Sequence, residues 1–126
     1  MDETVSADEN ITRFINQKAY FRSNGTVRHN AFMPNRDGEV SVYRISEIDD
    51  SEVYAIGTKY FAEITGKPLM GRADIIVSEV FKHDLRIQPH QDPHPRHASI
   101  CGYPDEKPEQ KLVAIELAAE AQLHLI

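Results

Sequence analysis

Hydrophobic and polar positions alternate most regularly over residues 39–46, EVSVYRIS. Val40, Val42 and Arg44 fall on one side of an extended chain there, and Ser41, Tyr43 and Ile45 on the other. Period two with β-branched residues predicts a strand. A second strong strand is expected over residues 71–81, GRADIIVSEVF, whose Ile75-Ile76-Val77 run suits a central position. Residues 11–21 mix Ile, Phe and Tyr with Thr, Arg and Asn, as an early strand, or a strand and a short turn, would. Shorter strands are expected at 85–87, at 97–101, where the chain re-enters the sheet after the His/Pro loop, and at 123–126.

Two segments follow the helical period instead. Val53, Ile56, Tyr60 and Ile64 are spaced at three, four and four residues, which lines one face of a helix. Asp49-Asp50-Ser51 offers its N-cap, and Gly66 and Pro68 end it. The second helix is expected over 109–122. Pro108 suits its first turn, and Leu112, Val113, Ile115, Leu117, Ala118, Ala119 and Ala121 are available to pack. Ser23-Asn24-Gly25 and Asn35-Arg36-Asp37-Gly38 read as turns. The order of elements predicts an α+β fold, two helices packed on one mainly antiparallel or mixed sheet. Residues 1–10, polar and acidic, are expected to form a disordered tail, with 11–126 as a single globular domain.

Composition narrows the setting. With 126 residues, 40% apolar and 27% charged, the chain has the make-up of an ordinary globular domain. No apolar run reaches the roughly 18 residues of a membrane span. A lone cysteine, Cys101, excludes an internal disulfide, and the N-terminus lacks the basic and apolar regions of a secretory signal. A cytoplasmic location is expected.

Charge is unevenly distributed. The net −6 divides into −4 over residues 1–10, +4 over 11–46 and −6 over 47–126. The basic segment interleaves its cations with Phe14, Tyr20, Phe21, Phe32 and Tyr43, a pattern able to hold phosphates and stack bases. The acidic remainder of the chain makes nucleic acid the less favoured partner.

Candidate chemistry concentrates between Lys82 and Pro104. That stretch holds His83, His90, His94 and His97, Cys101 and four prolines. His90, His94 and His97 have ligand-like spacing, but Pro93 and Pro95 forbid the helix that would align them, so no metal site is expected. Arg96-His97 and Arg28-His29 pair a guanidinium with an imidazole, Arg44 closes one strand and Arg72 opens another. On one sheet edge, Arg28, Arg44, Arg72 and Arg96 would bind an anion, with His97 or His29 transferring a proton near neutral pH. Alternatively, Arg44 and Arg72 are neutralised by Asp49, Asp50 or Asp74. Phosphate-loop, nucleophile-elbow, HExxH and CxxC motifs are absent, and no cofactor is expected.

Three readings follow. The first is a small binding or accessory domain that acts through a protein partner or by forming a homo-oligomer. The second is a small enzyme acting on a phosphorylated or nucleotide-like anion, which requires Arg44, Arg72 and His97 to share a cleft. The third is a nucleic-acid module using residues 11–46. Whether the chain is an enzyme stays open at this level.

Overall fold

The computed structural model describes residues 4–126. Its centre is one antiparallel sheet of six strands in the order β4-β5-β2-β1-β3-β6. The strands are β1 (Asn10–Ile15), β2 (Val40–Arg44), β3 (Gly71–Ile76), β4 (Arg86–Pro89), β5 (His97–Cys101) and β6 (Gln122–Leu125). The helices are α1 (Asp50–Gly57), α2 (Glu63–Thr65), α3 (Val77–Phe81) and α4 (Lys107–Glu120). The α+β expectation is met, with every strand pair antiparallel.

Register sorts the side chains. Directly paired residues share a face, and neighbours along a strand alternate. Thr12 pairs with Tyr43 and Asp74, Phe14 with Arg72, Tyr43 with His97 and Ser41 with Ser99, so all of these lie on one side. Ile11, Val42, Ala73, Ile75, Ala98 and Ile100 occupy the other. This first face is apolar, and it packs on Ala114, Leu117 and Ala118 of α4, Val77 and Val80 of α3, and Phe32 of a 3-10 turn (His29–Phe32). The second face meets α1 through Phe14, Tyr43, Val53 and Ile56. Close seating of α1 depends on Gly57, where a Cβ would stand 2.7 Å from Phe14 Cε1 and 2.9 Å from Leu69 Cδ2.

Three expectations are corrected. The strand predicted over 71–81 stops at Ile76, and Val77–Phe81 is a helix. The amides of Val77 and Ser78 donate to Glu9 O and Ala7 O, ending the ladder, and Val77 and Val80 then bury themselves at helical spacing. The stripe ending at Ile64 also breaks. A π-helical turn at Thr58–Ala62 inserts extra winding, leaving Ile64 64% exposed while Phe61 and Leu69 pack against Phe14 and its neighbours. Gly66 ends the segment with φ 75°, as its sequence position predicts.

The third correction concerns the acidic segment expected to be a disordered tail. Its residues 1–3 lie outside the described residues. From Thr4 onward it is tied down: Val5 is buried, and Glu9 grips Arg44 with Oε1 2.8 Å from Nε and Oε2 2.8 Å from Nη2.

Candidate functional site

The second face is only partly roofed. α1 covers β1, β2 and part of β3, and the β5–β4 side presents a polar surface. Ser41, Ser99 and Gln88 form one row across β2, β5 and β4, and Tyr43 and His97 begin the next. The alternation that buries Val40, Val42, Ala98 and Ile100 on the first face sets these residues on the second, where Ser41 is partly exposed and Gln88 exposed, while Tyr43, His97 and Ser99 are buried.

His97 is the focus of this region. It is 8% exposed. Its Nδ1 lies 2.9 Å from His90 O and its Nε2 2.7 Å from Ser41 Oγ. A carbonyl only accepts, so Nδ1 carries the proton and Nε2 accepts from the Ser41 hydroxyl. Burial pushes the His97 pKa below its ordinary value, and the bond to His90 O opposes that shift only in part. Aromatic neighbours fix the ring: Tyr43 meets it at 5.1 Å and His90 at 5.4 Å between centroids, both edge-on. Desolvation raises Tyr43 to about 12, keeping its phenol protonated at neutral pH.

The proline-rich loop folds back on itself instead of extending. His97 N–H donates to His94 O, His90 N–H to His97 O and Arg96 N–H to His94 Nδ1. The His94 ring stacks edge-on against Tyr60 at 4.8 Å. Burial and the nearby Arg96 charge both lower the His94 pKa. The rings contact one another's edges, and among the described residues no group of three metal-ligating side chains converges.

Of the predicted arginines, Arg44 and Arg96 line one pocket, together with the acidic Asp8, Glu9 and Glu47, and Arg72 does not join them. Arg72 stands on the second face beside Phe14, and Arg44 on the first beside Ile11. Arg72 pairs with Asp50 at 2.8 Å and Asp74 at 3.4 Å, and lies over the Tyr54 ring. Arg44 is bound by Glu9 and Thr4 O. The expected alternative of aspartate pairing therefore describes Arg72, whereas the partner of Arg44 is Glu9. Arg96 donates to Arg44 O and Ser46 O, tying the loop to the end of β2. Arg28 is exposed at the start of the 3-10 turn. His29 lines a separate groove with Arg22, Val27, Ile115 and Ala118, away from His97. Ser41 was not among the expected site residues. The signal for it was the alternation itself, which sets Ser41 and Tyr43 on one side.

The basic, aromatic segment 11–46 also turns inward. Phe14, Phe32 and Tyr43 are buried. Arg13 donates to Ala31 O and Ser41 O beneath the Tyr20 ring. Arg44 is likewise buried, whereas Lys18, Arg22, Arg28 and Arg36 are exposed and Tyr20 and Phe21 only partly buried.

A second surface stands out at the other end of the sheet. β6 is an edge strand. Ile126 N–H donates to Met70 O, continuing the β3–β6 register, so Gln122 and His124 bond inward while Leu123 and Leu125 turn their backbone groups outward. Leu125 is 50% and Ile126 76% exposed, and on α4 Leu112 is 65% and Ile115 44% exposed. Leu112, Ile115 and Ala119 form a stripe at helical spacing. Among the described residues no helix is long and apolar enough to cross a membrane. No family model, curated protein or solved structure matches this chain.

Proposed function

We propose that the chain is a small cytoplasmic binding module that works by pairing with a second copy of itself through β6 and the exposed stripe of α4. The observation that carries this reading is the unguarded edge. β6 has no proline, lysine or bulge to block a further strand, and apolar side chains flank its outward N–H and C=O groups. The opposite edge carries Pro89 in β4, a residue that discourages strand addition.

A second copy is the occupant the surface favours because an antiparallel strand pair is self-complementary about a twofold axis. Charges flanking the helix stripe suit the same symmetry. Lys107 and Lys111 stand in the N-terminal half with one acid, Glu109, and Glu116 and Glu120 in the C-terminal half, so antiparallel packing of two α4 helices sets a net positive half against a negative one. The anion-enzyme reading loses support because Arg44, Arg72 and His97 share no cleft. The nucleic-acid reading loses support because Phe14, Phe32 and Tyr43, three of the five aromatics of 11–46, are buried.

Sedimentation equilibrium tests the proposal. The wild-type chain is expected to be a dimer whose fraction rises with concentration, and Leu125→Lys is expected to shift it to monomer with unchanged circular dichroism. A wild-type monomer at every concentration up to the high micromolar range would overturn it.

A further inference from the structure

The Ser41–His97 contact is independent of the self-association surface and supports a chemical role. We propose that Ser41 and His97 form a nucleophile–base pair on the open part of the second face, able to take an acyl group from a small activated ester onto Ser41 Oγ.

Four observations carry it. The first is the nucleophile–base distance of 2.7 Å, within the hydrogen-bond reach that proton abstraction requires. The second is tautomer control. His90 O holds the proton on Nδ1, so the lone pair of Nε2 faces the hydroxyl, a task that a carboxylate performs in serine hydrolase triads. The third is the pattern of burial. The base is enclosed and its ring fixed by Tyr43 and His90, while Ser41 is partly exposed and reachable from solvent. The fourth is the row beside Ser41. Ser99 is its direct partner across the ladder, and Gln88 is the next residue outward on the same face. Ser99 is buried, so the exposed Gln88 side-chain amide is the donor in that row available to the negative oxygen of a tetrahedral intermediate. The surface is a shelf instead of a deep pocket, which selects a small electrophile.

The step balances within these groups. Oγ forms a bond to the carbonyl carbon as its proton passes to Nε2. The carbon–oxygen bond to the leaving group then breaks, and the leaving alcohol takes that proton. Water repeats the sequence to release the acid and restore Ser41. Because a neutral carbonyl stabilises the intermediate imidazolium less than a carboxylate would, turnover is expected to be slow, and the acyl-enzyme is the species to detect.

The test is covalent labelling followed by intact-mass and peptide mapping. The purified chain is treated with p-nitrophenyl acetate and, separately, with diisopropyl fluorophosphate, which replaces its fluoride by Oγ. One acetyl or diisopropylphosphoryl group is expected on Ser41, absent after denaturation, absent in Ser41→Ala, and retained in Ser23→Ala, which alters an exposed turn. His97→Gln, which keeps a polar side chain in the cavity, is expected to slow labelling by about 100-fold or more, in line with loss of a general base. A folded wild-type chain that gains no mass at Ser41 with either reagent would overturn the proposal. So would labelling of Ser41 at the same rate in folded His97→Gln. If His97→Gln fails to fold, the comparison of native with denatured wild type decides: equal labelling of Ser41 in both removes the activated hydroxyl.

Discussion

The two faces of this sheet are built from the same alternating strands and have opposite fates. The first is closed. Ile11, Val42, Ala73, Ala98 and Ile100 are fully buried beneath α3, α4 and the 3-10 turn. It admits charged side chains only when they are saturated, as Arg13 is by two carbonyls and Arg44 by Glu9. The second is closed over Phe14 and Tyr43 by α1 and left open over Ser41 and Gln88. Polar residues occur on both parts: beneath α1, Arg72 is held by Asp50 and Asp74, and beyond it Ser41 and Gln88 reach solvent.

The strongest way to test that contrast is to hollow each face in turn. Phe32 lies in the first core and Phe14 in the second, at 0% and 1% exposure. Each Phe→Ala change is expected to cost about 3–5 kcal/mol, because a cavity of that size does not collapse. Urea unfolding of the two variants checks it. A cost below about 1 kcal/mol for Phe14→Ala would mean that α1 is not firmly seated, and the second face would then be open throughout.

Removing the partner of Arg44 comes next in size. Glu9→Gln keeps the shape and one acceptor but leaves a cation that is 5% exposed without its carboxylate. A loss of about 2 kcal/mol is expected, less than for a fully buried pair because Glu9 retains some contact with water. The same change should release the segment before β1, so limited proteolysis near residues 4–9 should accelerate. Unchanged stability and unchanged proteolysis would show that the first face tolerates the loss of this carboxylate.

Much of this contrast was legible in the sequence. EVSVYRIS announced β2 and its two sides, the N-cap at Asp49 held, with Oδ1 2.9 Å from Glu52 N, and the stop at Gly66 held. What escaped was non-local. Val77 reads as strand by composition and becomes helix because two carbonyls from residues 7 and 9 capture the amides of Ser78 and Val77. The π-helical turn that rotates Ile64 into solvent leaves no mark on a regular helical period. His97 was singled out from the loop, but its partner required the β2–β5 register, which no local pattern encodes. The arginines misled for a related reason. Strand ends adjacent in sequence order need not share a face: Arg44 pairs with Ile11 and Arg72 with Phe14, an odd offset along β1 that puts them on opposite faces of the sheet.

The smallest expected effect is also the most specific to the open part of the second face. Burial holds His97 below its ordinary value of 6.5 in the folded chain. The unfolded chain therefore takes up this proton at higher pH than the folded one does. Between the two values the unfolded state binds more protons, so stability falls as pH drops from about 6.5 and is fully present above it. His94 is shifted the same way and adds to the slope. Glu39 and Asp92 attract the His97 proton and blunt the effect, while His90, when charged, strengthens it. Carboxylate titration elsewhere also weakens the fold in acid, so the informative quantity is a difference. The urea midpoint of the wild type should fall more between about pH 7.5 and about pH 5.5 than that of His97→Gln, which cannot titrate there. Equal slopes would mean that the His97 ring meets water as freely as an exposed imidazole, and the enclosure that orients it toward Ser41 would be lost with them.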